Sequence, residues 1–562
     1  VADGSHELTN IKNELNHIDT ESTEENAGPG CDVNNRRWLT VVLVCLLALT
    51  SGIVLYRTAH SASNLRITPD EIEYALGGHR IAEAGRFEIL VDGHWRPSRY
   101  PPWFSLLVIA PTYLLLGMDP GNAIYPVTVF GIAGVVIAFF IGRRISGLWG
   151  GVLAGLGVLA LPYYRLMGRI VMTDVPSACL ALILCLFFMH WRSRASCASL
   201  FQIFLAGVVG ALAGSLRVTN AALILPFLLL SRHNKYSGTV SRAILLFAPL
   251  AILAILQLRY NDSVFGLPWR NGYHYWAPVP YDYFHLTFQP GYLLVGLAKM
   301  IKRPDELIPV VVPLGILVAW IFWRQRHRTE QDNAVAAQCG LQYLLVGATP
   351  IVLFYSVYFF QSLRFLLPVM AVMAAICGGL AGFCLRRFTW PWVLSLAVLA
   401  LVVVLSVRLS SPPNEPPFAR MTCDDINQLT PDDAIIIASI PPSYIEYMVC
   451  RHSNRRIIPI SRKVAYANSL IAQRKVISPE PAPRDWEDAR CEGIRNGGSQ
   501  EAVALVAEDN LDWVAGEIRA GRPVYITPTY LGDENRPVAD QIDRRFHLKK
   551  VHEGLYKLRL RE

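Results

Sequence analysis

Charge is what this chain has least of. Only 17% of its 562 residues are charged while 52% are hydrophobic, and the mean hydropathy is +0.32. A soluble protein of this size carries about a quarter of its residues as charges, so the composition excludes an ordinary soluble enzyme and points to a polytopic membrane protein. The net charge of +8 does not indicate a nucleic-acid partner, because the cations sit in short groups beside apolar runs and form no stripe. Metal-ligand spacing is missing too. The eleven cysteines are scattered, with no CxxC and no Cys/His pattern. Cys45, Cys179, Cys185, Cys377 and Cys384 lie inside apolar segments as small hydrophobes. Cys423, Cys450 and Cys491 fall in the polar C-terminal part, where an odd count permits at most one internal disulfide, whose pairing stays open. No cleavable signal is recognisable. Residues 1–35 are polar and acidic with a single Lys12, which predicts a disordered cytoplasmic tail ahead of an uncleaved first anchor helix. There is no inverted repeat of the transporter kind and no period of a solenoid.

What is present is a series of apolar stretches of the length that crosses a bilayer, about 17 to 25 residues. They fall at 38–56, 122–142, 147–163, 174–191, 200–216, 217–231, 241–258, 308–323, 341–360, 365–385 and 390–408. The pair around 200–231 is short and reads as a tight hairpin. Cationic groups stand at Arg36-Arg37, Arg143-Arg144, Arg192/Arg194, Arg232/His233/Lys235, Arg324/Arg326/Arg328 and Arg386-Arg387. With each group cytoplasmic, about eleven crossings fit without conflict. The segment Pro102 to Gly117 would break that parity as a crossing, so it is expected to lie in the outer interface. The loops 57–121, 164–173, 259–307 and 361–364 then share the non-cytoplasmic face with everything after about 409. A Pro-rich linker opens that last part. Beyond it, Ala434 to Ser439, Arg456 to Ile460 and Val524 to Thr527 read as buried strands and Gln500 to Ala520 as a helix, hence a small α/β domain.

The polar chemistry gathers on the outer face. Thr68-Pro69-Asp70-Glu71 has the form of a capping box with proline at the first helical position, and caps of this kind are common. A cap also fixes a carboxylate in place, as a general base requires. Asp174, at the mouth of the fourth span, reads equally as an N-cap or as an active-site acid. With Asp70 it would form an acidic pair able to hold a divalent cation, although no spacing specifies a metal. Arg99, Arg169, Arg217 and Arg364 are interfacial arginines taken singly. Together, on a face that the topology rule does not favour for cations, they suggest a site for a departing phosphate. Tyr273 and His274 lie in an aromatic loop, 259–276, that suits either an interfacial belt or the faces of a sugar.

Taken in order, these segments resemble the GT-C glycosyltransferases that use polyprenyl- or dolichyl-phosphate sugars, in particular bacterial relatives of protein O-mannosyltransferases and lipid A aminoarabinose transferases. Thr68 to Tyr74 resembles the acidic motif of the first external loop, Tyr100-Pro101-Pro102-Trp103 the following Pro-Pro element, and Gly168 to Pro176 the second acidic motif. Phe265-Gly266 through Gly272-Tyr273 resembles a shared loop, and Gln361 to Pro368 an arginine-bearing helix start. The likeness covers about residues 37 to 408. It implies Asp70 as the catalytic base for the acceptor with Glu71 supporting it, and Asp174 as a second acid and the candidate ligand of a divalent cation. It also implies Arg364 and the other outer arginines facing the lipid phosphate beside Tyr100. Aminoarabinose transferases have Glu-Lys where this chain has Arg99-Tyr100, so that lysine's role passes at most to Arg99 by charge. The paired Trp-Asp motif of oligosaccharyltransferases is absent, which argues against transfer of a whole oligosaccharide to Asn.

The expectation is therefore a polytopic α-helical membrane protein of GT-C type, with about eleven transmembrane helices, interfacial helices and a soluble C-terminal α/β domain. Its parts would be a tail (1–35), a catalytic membrane domain (36–408) and a non-cytoplasmic domain (409–562). It would transfer a sugar from a polyprenyl-phosphate donor to a glycan, lipid or protein hydroxyl with inversion, in a bacterial inner membrane. Its expected partners are that donor, that acceptor and membrane lipids. A transporter or flippase is the rival class and a scaffold a third; the carboxylates' place in external loops and not at the bilayer midplane favours the enzyme.

Overall fold

The computed structural model describes residues 33–60, 69–91, 94–193, 199–233, 236–276, 281–282, 284–294, 296, 331–360, 362–385, 418–438, 442–450, 453–458, 511–527, 536–553 and 555–561. The expected spans 308–323 and 390–408, most of the expected tail, Thr68 and Cys491 lie outside the described residues.

Helix α1 (Val33–His60) starts slightly inside the segment expected to be tail. Helix α2 (Pro69–Ala84) follows, with proline first and Asp70 and Glu71 in its opening turn, where unpaired N–H groups favour carboxylates. Strands β1 (Glu88–Val91) and β2 (His94–Pro97) form an antiparallel hairpin. A π-helical turn (Ser105–Ile109) then runs into α3 (Ala110–Leu116). At five and seven residues these reach only ~18 Å end to end, against a hydrocarbon core of about 30 Å. Their exposed Leu114, Leu115 and Leu116 suit an interface.

The stretch α4 (Ile124–Ala160) is two helical limbs joined by a sharp bend at Ser146 and Gly147, the latter with φ 76°. The two limbs touch along their length. A Cβ on Gly142 would collide with the Gly150 carbonyl oxygen, and one on Gly155 would lie 3.2 Å from that of Val135. The expected separate stretches 122–142 and 147–163 are thus the limbs of one hairpin, with Arg143-Arg144 near its bend. After the short α5 (Pro162–Met167) come α6 (Asp174–Ser193) and α7 (Leu200–Leu216), the latter opened by a Ser199/Gln202 capping box. The next segment, the second of the two short stretches read as a tight hairpin, is a 3-10 helix, Val218–His233, of 16 residues. At ~2.0 Å rise per residue it reaches about 32 Å, so the tighter winding lets so short a segment match the core. Helices α8 (Tyr236–Phe265), α9 (Gln331–Ser356) and α10 (Leu367–Leu385) complete the described bundle. Among the described residues six helices are long and apolar enough to cross a membrane, counting the α4 hairpin once. Helix α10 lies against both limbs of α4, where a Cβ on Gly378 would meet the Ala154 Cα at 2.5 Å and the Ser146 hydroxyl donates to the Gly379 carbonyl. Small residues permit this backbone approach, which supplies packing where apolar lipid supplies none.

The C-terminal part comprises α11 (Phe418–Leu429), β3 (Ile435–Ile437), α12 (Pro442–Cys450), β4 (Arg456–Ile458), β5 (Val524–Ile526), α13 (Arg536–Arg545), β6 (Phe546–His552) and β7 (Leu555–Leu560). The sheet order is β4-β3-β5-β7-β6, parallel around β3 and antiparallel from β5 onward. Ile435 and Ile437 face a core shared with Leu511, Val514 and Ile542, whereas Ile436 faces one shared with Ile426 and Tyr447. Burial on both faces explains the unbroken apolar run of β3. The β6–β7 hairpin is hidden in the sequence, because Lys549, Lys550 and Lys557 interrupt its apolar alternation.

Candidate active site

Asp70, in the first turn of α2, stands 2.9 Å through Oδ2 from the Arg364 Nη2. A 3-10 turn, Leu363–Leu366, presents that arginine just before α10. The Tyr100 hydroxyl donates to the same carboxylate. Burial pushes the Asp70 carboxyl up, but the Tyr100 hydrogen bond and the Arg99 and Arg364 charges outweigh it and hold the group below the usual carboxylate range.

Glu73 lies one turn further on, beside Asp70 on the helix surface. Its carboxylate accepts from the Ser98 hydroxyl at 2.9 Å, the Arg99 backbone N–H at 2.7 Å, and the Arg99 side chain at 2.7 Å (Nη2) and 3.2 Å (Nε). This two-pronged grip fixes the guanidinium plane. Burial works against the Arg99 charge, but Glu73 more than compensates and raises its pKa well above the ordinary value. Glu73 is the member of this group that sequence reasoning missed; its spacing of three from Asp70 was the available signal.

Phenols wall the site. Tyr74 stacks on Tyr100 at 4.5 Å, Tyr100 meets the Tyr273 ring edge-on at 5.6 Å, and Tyr273 leans on Tyr281 at 4.9 Å. The Tyr281 and Tyr358 hydroxyls are 2.8 Å apart. Burial raises the pKa of Tyr100, Tyr273 and Tyr281, so these are neutral hydroxyls at pH 7. Gly272 sets Tyr273 in place by pressing on the Ser98-Arg99 backbone, where a Cβ would collide with the Ser98 carbonyl oxygen. His274 is one ring further out, its Nδ1 2.8 Å from Asn271 Oδ1 and its ring 6.2 Å from Tyr281. Burial, aided by Arg270 and opposed by Asp282, lowers its pKa.

Asp174 begins α6, fully buried, with Oδ1 2.7 Å from the Nη2 of Arg217 at the end of α7. Its Oδ2 is buried with no hydrogen-bond partner among the described residues. Phe365 joins this pair to the first, with the Arg217 Cζ 4.6 Å and the Arg364 Cζ 5.2 Å from its ring centre. Glu71 has a different partner. Its buried Oε1 accepts from the Val171 N–H at 3.0 Å, fastening α2 to the loop that leads into Asp174. Arg169 is buried within that same loop.

Among the described residues no three His, Cys, Asp or Glu side chains gather to hold a metal ion. Asp70 and Asp174 each face an arginine instead. The donor set at Asp174 therefore does not fit the divalent cation expected there, since Arg217 already supplies the compensating charge.

No family model matches the sequence and no curated protein matches it. Among solved structures, the chain is similar to the aminoarabinose transferase ArnT from Cupriavidus metallidurans bound to undecaprenyl phosphate. The identity is 15% over 92% of this chain and 97% of that one, with a TM-score of 0.46. It is also similar to the Archaeoglobus fulgidus oligosaccharyltransferase in the apo form, at 10% identity over 94% of this chain and 75% of that one, TM-score 0.48. The oligosaccharyltransferase AglB from Archaeoglobus fulgidus, in complex with an inhibitory peptide and a dolichol-phosphate, matches at 11% identity over 94% of this chain and 74% of that one, TM-score 0.48.

Proposed function

We propose that this protein is a membrane glycosyltransferase that moves a sugar from a polyprenyl-phosphate donor to an acceptor hydroxyl on the non-cytoplasmic face, with inversion. The observation that carries the reading is the Asp70 carboxylate, ion-paired to Arg364 and hydrogen-bonded by Tyr100, with Arg99 clamped behind it by Glu73. One anionic acceptor atom beside two oriented guanidinium groups is the arrangement needed to hold a hydroxyl and an adjacent phosphate at once.

In the reaction the acceptor oxygen bonds to the anomeric carbon as the bond from that carbon to the phosphate oxygen breaks. The hydroxyl proton passes to Asp70, and the negative charge leaves with the lipid phosphate toward Arg99 and Arg364. The depressed pKa of Asp70 suits a late proton transfer, because the hydroxyl turns strongly acidic only as its new bond forms. Asp174 and Arg217 hold the opposite wall, through Phe365, and keep Arg364 in place. The phenolic wall of Tyr273 and Tyr281 gives a sugar ring both an aromatic face and hydroxyl partners.

The test is turnover. Detergent-solubilised protein given a set of polyprenyl-phosphate sugars and candidate acceptors should release polyprenyl phosphate and form a glycoside of inverted configuration. Binding of the lipid without turnover across the set would point to a transporter or flippase and sink the reading.

A further inference from the structure

The far end of α2 is held by the C-terminal part of the chain through one buried side chain. Tyr447 of α12 is fully buried, and its hydroxyl lies 2.5 Å from His79 Nδ1 and 3.3 Å from Glu83 Oε2. Its ring also meets His79 and Trp95 edge-on, at 5.2 and 5.8 Å. His79 Nε2 is 3.1 Å from the carbonyl oxygen of Met118, which can only accept, so Nε2 carries a hydrogen and, in the neutral imidazole, Nδ1 accepts from the Tyr447 hydroxyl. The edge of the His79 ring packs on Tyr113 of α3, 5.2 Å away. One imidazole thus joins α2, the interfacial helix, the turn after it and the C-terminal part.

Between this clasp and Asp70 the helix rests on a close contact. A Cβ on Gly77 would run into the Phe87 ring, and one on Gly78 would stand 2.5 Å from Ile109. Asp70 and His79 are nine positions apart, about half a turn out of phase at 3.6 residues per turn, so they lie on opposite sides of α2, ~13 Å apart along it. The Asp70 end is fastened as well, by Glu71 to the Val171 amide and by Glu73 to Arg99, so the clasp is the second of two holds that together set the line of the helix. We propose that Tyr447 is a positioning residue for the site: by clasping His79 it fixes the tilt of α2, and with it the place of Asp70 and Glu73 against Arg364 and Arg99. This rests on the glycosyl-transfer reading for its catalytic consequence, but the clasp itself is testable without turnover.

The experiment uses the full chain in detergent with Tyr447→Phe, His79→Asn and His79→Gln. Tyr447→Phe keeps the ring and removes only the donor. His79→Asn keeps a polar group where Nδ1 stood, and His79→Gln keeps one where Nε2 stood. Backbone amide exchange is read over 70–76, beyond the glycine contact from Tyr447. There, Tyr447→Phe and His79→Gln should speed exchange by about tenfold while His79→Asn stays near the parent. With an active preparation, the same two variants should lower kcat and leave the donor KM within about twofold, since the arginines remain. Unchanged exchange over 70–76 in Tyr447→Phe overturns the clasp and leaves the transfer reading standing. Faster exchange confined to 418–458, or equal effects of the two His79 variants, marks Tyr447 as a packing residue only and also overturns it. Absence of turnover in the parent protein with the exchange pattern as expected would count against the transferase reading alone.

Discussion

The two acid–arginine pairs have the same chemistry in different surroundings. Asp70–Arg364 leaves its side chains 16% and 21% exposed, and its carboxylate has a second donor in Tyr100. Asp174–Arg217 is closed, with side-chain exposures of 0% and 12% and one carboxylate oxygen unpartnered among the described residues. A pair open to solvent exchanges partners easily, because water can take the place of either ion. A pair cut off from water cannot, because separating it strands a charge in a medium of low dielectric. Under the proposed function the difference suits the first pair to chemistry and the second to rigidity, although both acids open a helix and both arginines come from helix ends.

The strongest way to break this contrast is to neutralise each acid in turn. Asp70→Asn keeps size, and transfer should fall by about 10²–10⁴-fold, the usual worth of a positioned proton acceptor, with a smaller fall in melting temperature than at Asp174. Asp174→Ala should do the reverse, costing ~3–5 kcal/mol of stability by leaving Arg217 buried without its partner, read as a lower unfolding midpoint in detergent. Equal melting losses in the two variants would erase the distinction. Gly272→Ala comes next. Its Cβ has no room beside the Ser98-Arg99 backbone, so overpacking should cost about 1–3 kcal/mol and displace Tyr273, raising the donor KM.

The smallest effect sharpens the comparison by pH. The folded pKa of Asp70 is depressed, so its contribution to stability is present above the unfolded value of about 3.9 and is lost as pH falls through the folded value. Transfer should therefore hold level, as far as Asp70 is concerned, from neutral pH down to about 4.5. In Arg364→Gln the residual activity should acquire an acid limb at higher pH than in the parent, because a cation that favoured the carboxylate is gone. A parent enzyme that already loses activity at pH 6 with Asp70 as the titrating group would contradict the ion pair.

Much of this is legible in the sequence, for identifiable reasons. Crossing stretches can be read because a bilayer demands apolar length, and the short helices within Pro102 to Gly117 agree with the charge-parity reading of that segment as one that does not cross. The strands around Ile435 to Ile437 and Val524 to Ile526 are visible as short apolar runs. The fold-back of α4 agrees with the separate stretches because Arg143-Arg144 stands near the bend. By contrast, the 3-10 winding of Val218–His233 depends on helix packing, which no local propensity encodes. Among candidate residues, Asp70, Arg99, Tyr100, Tyr273 and Arg364 do converge. Asp174 and Arg217 converge with each other and touch the rest through Phe365. Glu73, Phe365, Tyr281 and Tyr358 do not stand out, because an acid and three aromatics in such a chain have many ordinary uses.

The sequence by itself determined which residues are polar on a mostly apolar chain, and the cost of burying charge in hydrocarbon keeps most of them out of the apolar stretches. Only the tertiary structure decided the pairing. Whether Asp174 meets a cation from solvent or Arg217, and whether Glu71 faces an acceptor or the Val171 amide, depends on contacts between segments 43 and 100 positions apart. Electrostatic partners are chosen by distance in space, and in this protein that distance is set by how closely packed helices bring their ends together.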